Sequence, residues 1–217
     1  MGIKKNIMRK IKTALISVSD KSKLLPLLKI LKKYKVEIIS SGGTFKKIRN
    51  LKFKCTEISD FTGFKEILDG RVKTLHPKIH AGILNIRNKK THLKELKNNN
   101  FQNIDLVIVN FYPFEKTLKN KGHKKIIENI DIGGPTMIRA AAKNYKDVTV
   151  IPSEKLYSDL IYELDRNNGF TSFKFREKMS RLAFNETAYY ESLISNYFNK
   201  TSNIFFPEKK IIHSKLI

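Results

Sequence analysis

The amino-acid sequence predicts an α/β protein in which a mostly parallel sheet carries helices on both faces. Short β-branched runs alternate along the chain with helical patterns, as in sheets built from strand–helix–strand units. The run at residues 106–109, Leu-Val-Ile-Val, is continuously apolar, which is typical of a central strand buried on both faces. The chain has 217 residues, of which 41% are hydrophobic, enough for one large domain with a sizeable core.

Five β-branched runs predict the strands in order. They cover residues 13–18, 36–40, 56–58, 105–110 and 148–152. The first ends in Ser-Val-Ser-Asp-Lys and the fourth in Asn-Phe-Tyr-Pro-Phe, and the second runs through Ser-Gly-Gly-Thr directly into a helix. Because ligands bind at the carboxyl ends of the strands in an open α/β sheet, these loops are where we expect a site.

Six segments with helical periodicity predict the helices. They cover residues 22–34, 44–49, 91–99, 135–144, 154–167 and 173–199. The last is amphipathic, with Phe175, Met179, Leu182 and Tyr190 among the residues near helical spacing. Residues 201–217 are polar and have no clear period, so we expect one domain at residues 1–200 followed by a polar tail or linker remnant.

The net charge of +23 is typical of proteins that bind nucleic acid, but its pattern argues against a specific nucleic-acid partner. Only eight of the 43 basic residues are Arg, and the chain is rich in Ile, Asn and Lys, which share A/T-rich codons. The lysines are scattered, and no zinc-finger spacing or aromatic-interleaved basic motif is present.

The apolar runs and the number of cysteines indicate where the protein is located and which disulfide or metal sites are excluded. No apolar run approaches the roughly 20 residues needed to cross a bilayer, and residues 1–12 lack the apolar centre of a secretory signal. Cys55 is the single cysteine, which excludes an internal disulfide and a thiolate metal cluster within one chain. We therefore expect a cytoplasmic protein that does not bind membranes.

The glycine pair that opens the second predicted helix has the properties of a phosphate-binding turn. Gly42 and Gly43 let backbone N–H groups approach an anion closely, and the N-terminus of the helix adds a favourable dipole. Ser41 and Thr44 supply hydroxyls, and Ser17, Ser19 and Lys21 lie on the neighbouring loop. The alternative is an ordinary turn in which Ser41 or Thr44 caps the helix.

Residues 69–80, Asp-Gly-Arg-Val-Lys-Thr-Leu-His-Pro-Lys-Ile-His, are the most informative stretch. In an extended conformation Arg71 and Lys73 would point the same way, as two donors must to hold one anion. The alternative is a solvated basic loop. A metal pair at His76 and His80 is disfavoured because Pro77 lies between them and no cluster of further ligands matches.

The segment from Asp131 to Lys143 repeats the glycine-turn pattern with a different charge balance. Gly133 and Gly134 open a helix, with Pro135 near its start where the missing N–H costs nothing. Asp131 is alternatively a first-turn acid favoured by the dipole. Lys143 lies three turns along the helix, where periodicity alone indicates a surface lysine.

These strings, in this order, resemble the inosine monophosphate cyclohydrolase domain of the bifunctional purine-biosynthesis enzymes, whose fold is methylglyoxal-synthase-like. The matching strings are at residues 17–21, 41–44, 69–77, 110–114, 131–136 and 139–144. The resemblance extends over about residues 12–199, and the string Arg-Val-Lys-Thr-Leu-His-Pro is its most specific part.

The resemblance implies a reaction that needs neither a metal nor a redox cofactor. A formamidoimidazole-carboxamide ribonucleotide closes its six-membered ring, loses water and becomes inosine monophosphate. By resemblance, the catalytic positions are Lys73, Tyr112, Asp131 and Lys143. Asp131 would orient the carboxamide and accept its proton, Lys143 and N–H groups near Gly133 would hold the oxyanion, and Lys73 with Tyr112 would relay a proton to the departing oxygen. The implied substrate-binding residues are Ser17, Ser19, Lys21, Ser41, Gly42, Gly43, Thr44, Arg71, Thr74, Asn110 and Gly133.

Two other functions share this fold and remain open from the sequence. They are methylglyoxal synthase and a non-catalytic, nucleotide-binding regulatory module. The family joins a formyltransferase domain near the point where this sequence stops, so we expect cyclisation from this chain, with formyl transfer supplied by another chain. We also expect a homodimer whose ligand is a purine nucleotide.

Overall fold

The computed structural model describes residues 7–111, 114–115, 118 and 122–201. Within them, five parallel strands form the central sheet in the order β4-β3-β2-β5-β6. The strands are β2 Thr13–Val18, β3 Glu37–Ser40, β4 Thr56–Glu57, β5 Leu106–Asn110 and β6 Thr149–Ile151. Each agrees with its predicted counterpart to within one residue at either end, so the predicted α/β class with a parallel sheet is confirmed.

A second, two-stranded antiparallel sheet pairs β1 with β7 and was not predicted. Strand β1 is Arg9–Lys10 and strand β7 is Phe170–Thr171. Two residues are too few to show the alternation that identifies a strand in a sequence. The fully buried guanidinium of Arg176 stabilises this region by donating to the carbonyls of Thr171, Tyr145 and Ile7.

The six predicted helices are all present, and three further short helices whose bounds lie in the described residues were not predicted. The helices are α1 Leu24–Lys33, α2 Gly42–Asn50, α3 Ile58–Thr62, α4 Pro77–Leu84, α5 Lys90–Asn98, α6 His123–Glu128, α7 Gly133–Lys143, α8 Tyr157–Arg166 and α9 Phe173–Thr201. The predicted helix at 154–167 divides into a 3-10 turn, Glu154–Leu156, and α8. Ile58, predicted to end a strand, instead begins α3. The predicted tail at 201–217 lies outside the described residues apart from Thr201, the last residue of α9.

Helix α4 follows directly from the His-Pro pair of the motif at residues 69–80. Pro77 is its first residue, where a missing N–H costs no hydrogen bond. His76 Nδ1 accepts a hydrogen bond from Lys78 N at 3.1 Å and so caps the helix. The motif therefore changes from loop to helix at Pro77, because a proline fits the first position of a helix.

The core lies on both faces of β2 and β5. All five residues of β5 are buried, which confirms its prediction as a central strand. Helix α7 packs against β5 and α4, and α9 packs against α7 and β6. No helix in the described part of the chain is long and apolar enough to cross a bilayer.

Candidate active site

The candidate site lies at the carboxyl edge of the central sheet, where three neighbouring strands end. Val18 at the end of β2 is paired with Asn110 at the end of β5, and Ile16 of β2 is paired with Ser40 at the end of β3. The loops that follow therefore begin side by side. This edge, outside the carboxyl ends of the strands, is where open α/β sheets bind ligands.

The glycine turn at the start of α2 is a close backbone approach beside a lysine. Gly42 has φ +51, a left-handed conformation that glycine adopts without strain. A Cβ on Gly43 would lie 3.4 Å from Lys21 Cε, so the lysine side chain lies directly over the turn. Ser41 precedes the helix without capping it through its side chain. The Lys21 ammonium, which donates to the Ser19 carbonyl at 2.9 Å, therefore lies beside the N-terminus of α2, and a cation at a helix N-terminus suits the binding of an anion.

Two of the predicted phosphate-binding hydroxyls are used within the protein. Thr44 Oγ1 accepts from Val18 N at 3.0 Å and donates to Val18 O at 2.9 Å. Ser19 Oγ is 2.8 Å from the Phe111 carbonyl and 3.0 Å from Asn110 Oδ1. These side chains hold the loops together. Ser17 lies within β2, opposite Val109 of β5.

Asn110 joins two of the loops and keeps one donor free of any described partner. Its Oδ1 accepts from Ser19 N at 2.6 Å and from Asp20 N at 3.3 Å. Its Nδ2 is buried and has no hydrogen-bond partner among the described residues. A buried donor without a partner costs free energy, so a ligand acceptor at this position would be favoured.

Lys73 reaches the glycine turn, whereas Arg71 points elsewhere. A Cβ on Gly42 would lie 3.9 Å from Lys73 Nζ, which also lies 3.5 Å from Glu66 Oε2. Arg71 holds Glu128 of α6 through two bonds, Nε to Oε1 at 3.1 Å and Nη2 to Oε2 at 2.5 Å. The extended conformation considered for this stretch is wrong, because residues 68–71 form a turn closed by the pairing of Ile67 with Val72. Arg71 and Lys73 therefore do not share one partner.

Asp131 lies just before α7 and combines burial with a charged neighbour. Its Oδ1 accepts a hydrogen bond from Gly134 N at 2.9 Å. Burial raises the pKa of Asp131, while the Gly134 N–H and the positive charge of Lys73 act in the opposite direction. Lys73 and Asp131 are thus brought within electrostatic reach of each other, although 58 positions separate them in the sequence.

The same two loops touch at Thr74 and Gly133. Thr74 is buried, and a Cβ on Gly133 would lie 2.2 Å from its Oγ1. A Cβ on Gly134 would lie 2.4 Å from Asp131 Oδ2. Real Cβ atoms do not approach heavy atoms this closely, so Gly133 allows the close approach of the two loops and Gly134 leaves room for the Asp131 carboxylate.

Of the other two predicted catalytic residues, Lys143 lies away from this place and Tyr112 is not among the described residues. Lys143 is exposed at the end of α7, ten residues beyond Gly133, which is about 15 Å along the helix. It lies next to Asn144, whose Nδ2 donates to the carbonyls of Ile83 and Asn85. Tyr112 lies outside the described residues.

Tyr190 is a residue of this site that the sequence did not single out. Its Oη accepts a hydrogen bond from Asp131 N at 2.7 Å. The helical pattern of α9 marked Tyr190 only as a residue on the buried face, because a tyrosine that packs and a tyrosine that also bonds have the same periodicity. Its phenolic hydroxyl was the signal available, since a buried tyrosine hydroxyl usually has a partner.

The described residues contain no group of three or more His, Cys, Asp or Glu side chains placed to hold a metal ion. Burial lowers the pKa of His80, which favours its neutral form. A cleft of about 390 Å³ lies elsewhere, at the opposite edge of the sheet, and Arg9, Arg87 and Asp147 are among the residues that line it. Arg9 forms an ion pair with Asp147, which ties β1 to the sheet, and Asp147 also accepts a hydrogen bond from the backbone N–H of Arg87.

Residues 23–136 match the model of the MGS-like domain family, and that span includes the glycine turn, Lys73 and Asp131. The chain belongs to the MGS-like domain family. The match confirms the fold and the resemblance drawn from the sequence. In this MGS-like chain, residues 141–216 match a second model, that of the AICARFT/IMPCHase bienzyme.

Curated relatives of this MGS-like chain are longer proteins. The bifunctional purine biosynthesis protein PurH of Bradyrhizobium diazoefficiens is 46% identical over 210 residues, which are 96% of this chain and 40% of that protein. The protein of the same name from Thermoanaerobacter sp. is 48% identical over 199 residues, 91% of this chain and 39% of that protein. The chain thus spans about two fifths of the length of these relatives.

A solved structure has the same fold. The crystal structure of ForH is 28% identical to this MGS-like chain and superposes with a TM-score of 0.77. The similarity covers 87% of this chain and 99% of ForH. The fold described above is therefore also found in a crystallised protein of closely similar extent.

Proposed function

We propose that this MGS-like domain is an IMP cyclohydrolase, which closes the ring of a formamidoimidazole-carboxamide ribonucleotide to give inosine monophosphate and water. The observation that carries the proposal is that Lys73 reaches the glycine turn of α2, while the loop of Lys73 touches the loop of Asp131 at Thr74 and Gly133. An acid–base pair next to an anion-binding turn suits a reaction of a phosphorylated substrate that moves protons. The similarity to proteins named for bifunctional purine biosynthesis supports the same reaction.

The chemistry requires two proton transfers and no oxidation. The carboxamide nitrogen attacks the formyl carbon, so a C–N bond forms and negative charge develops on the formyl oxygen. The attacking nitrogen then loses one proton, and the former formamide nitrogen loses another as the C–O bond breaks. The oxygen takes up two protons in total and leaves as water, so the atoms balance.

Asp131 and Lys73 fit the two proton-transfer roles. Asp131 accepts the proton of the attacking nitrogen, because burial raises its pKa and makes it a stronger base than an exposed aspartate. Lys73 delivers a proton to the departing oxygen. The N-terminus of α7, with the N–H of Gly133, provides the positive field for the developing oxyanion. Lys143 has no part in this proposal because it lies at the other end of α7.

The substrate phosphate belongs at the glycine turn. The Lys21 ammonium lies beside the N-terminus of α2, and residues 41–43 leave room for close backbone approach. The free Nδ2 of Asn110 would donate to a ribose or base oxygen. The only reaction proposed for this domain is ring closure, without formyl transfer. The proposal also includes the expected homodimer and a cytoplasmic location.

The deciding experiment is a ring-closure assay on the purified chain. The formylated ribonucleotide is incubated with the protein, and the absorbance change of cyclisation is followed. Binding of inosine monophosphate is measured in parallel by calorimetry. Turnover above the uncatalysed rate supports the proposal. Intact binding without turnover favours a regulatory module, and release of methylglyoxal from dihydroxyacetone phosphate favours methylglyoxal synthase.

A further inference from the structure

Tyr190 connects the long C-terminal helix α9 to the backbone of Asp131. The side chain is 4% exposed, and its Oη accepts the Asp131 N–H at 2.7 Å. Burial raises the pKa of Tyr190 to about 12, so the hydroxyl stays neutral at physiological pH. The role that the structure shows for this hydroxyl is acceptance of the Asp131 N–H.

The ring of Tyr190 is held in one place by aromatic neighbours. Its centroid lies 4.7 Å from that of Phe111 and 6.0 Å from that of Phe114, the second contact being edge-to-face. Phe111 directly follows Asn110 at the end of β5, and its carbonyl lies within hydrogen-bond distance of Ser19 Oγ. One side chain thus contacts the segment that follows β5 with its ring and the segment before α7 with its hydroxyl.

We infer that Tyr190 is a positioning residue that fixes Asp131 for proton transfer during ring closure. The inference rests on the proposed function. Asp131 is held at two points, its backbone N–H by Tyr190 and its carboxylate by Gly134 N at 2.9 Å. Because the Asp131 backbone and Oδ1 are both held, Oδ2 points in a defined direction. Proton transfer depends steeply on such placement, because a displacement of about 1 Å at a reacting group can cost about a hundredfold in rate.

The donor of this hydrogen bond distinguishes Tyr190 from a tyrosine that only packs in the core. The hydroxyl of a packing tyrosine could accept from any backbone N–H, whereas that of Tyr190 accepts from the N–H of the proposed base. A positioning role and a packing role predict different kinetic couplings between Tyr190 and Asp131. They can therefore be separated by a double-mutant cycle.

The test compares Tyr190→Phe with a matched control, Tyr197→Phe. Tyr197 lies on the same helix, its ring also meets Phe114 edge-to-face, and its hydroxyl makes a bond of 2.7 Å to His123 Nδ1. Each change removes one hydroxyl and keeps the ring. We expect Tyr190→Phe to lower kcat at least about tenfold with KM changed by less than about twofold, and Tyr197→Phe to retain wild-type kcat. Melting temperatures are measured for both variants, and the assays are run well below them.

Asp131→Asn completes the cycle. If Tyr190 acts through Asp131, the double variant has the same residual kcat as Asp131→Asn alone. Losses that multiply, or a Tyr190→Phe variant with wild-type kcat, overturn the positioning role and leave the proposed function standing. Absence of turnover in the wild-type chain overturns the proposed function and this inference with it.

Discussion

The hydroxyl of Thr44 and the backbone of Val18 exchange two hydrogen bonds, one in each direction, at 3.0 and 2.9 Å. Thr44 is 3% exposed, so the pair is shielded from water. It ties the first turn of α2 to the end of β2. The threonine that the sequence indicated as a phosphate ligand therefore holds the glycine turn in place, and its side chain is already satisfied without a ligand.

Replacing Thr44 by Val should lower stability more than it changes substrate affinity. The change leaves the buried N–H and carbonyl of Val18 without the hydroxyl, which costs about 1–3 kcal/mol in the free energy of unfolding. Urea unfolding monitored by circular dichroism measures this cost. Thr44→Ser retains the hydroxyl and is the control, expected to keep most of the stability. Unchanged unfolding together with a raised KM would instead assign the hydroxyl to the phosphate.

Replacing Lys73 by Ala should reduce turnover without unfolding the protein. Loss of a proton-transfer group typically lowers kcat by about 10²–10⁴-fold. The side chain makes one described ion pair, 3.5 Å from the exposed Glu66, and such pairs contribute about 0–1 kcal/mol. Steady-state kinetics and a melting curve are the measurements. Lys65→Ala removes an exposed lysine from the same loop and should behave as wild type. Wild-type kcat in Lys73→Ala would remove Lys73 from the mechanism.

Replacing Gly134 by Ala should displace the carboxylate of Asp131. The new Cβ would lie 2.4 Å from Asp131 Oδ2, so either the carboxylate or the start of α7 must move. We expect a loss of about a hundredfold in kcat because the proposed base leaves its position. Gly122→Ala is the control, since a Cβ there meets nothing within 4 Å. The idea fails if both variants cyclise the substrate at the same rate.

Replacing Asp131 by Asn should lower kcat by about 10²–10⁴-fold and raise stability at neutral pH. Burial raises the pKa of the native carboxyl, so its charged form is disfavoured in the folded state. The stability that the protonated Asp131 contributes is fully present below the ordinary pKa of an aspartate. It is lost as the pH rises through the raised native pKa.

The measurement is the free energy of unfolding of wild type and Asp131→Asn as a function of pH. The variant should be more stable than wild type at pH 7, and the difference should shrink as the pH falls through the native pKa. Asp60→Asn, which removes one exposed charge from α3, controls for net charge. A variant less stable than wild type at pH 7 would mean that the Asp131 charge stabilises the fold.

Local patterns in the sequence were sufficient for most of the fold. The apolar run at 106–109 became the fully buried strand β5, and the amphipathic segment at 173–199 became α9. Both predictions succeeded because the apolar pattern of a segment reports how much of that segment is buried. Short elements such as β1 and α3 were not predicted, because two to five residues are too few for a repeating apolar pattern to show. The glycine turn was also found locally, since Gly-Gly before a helix has a direct conformational meaning.

The partners of the candidate site residues were decided by tertiary structure. Arg71 contacts Glu128, 57 positions away, and Tyr190 bonds Asp131, 59 positions away. Asp131 lies just before the first residue of α7, whereas Lys143 is the last residue of that helix. The residue types of the site and the longer strands and helices could be predicted, because they follow from neighbours along the chain. Which side chains meet depends on how the helices pack across the sheet, and that arrangement is fixed only when the whole core forms.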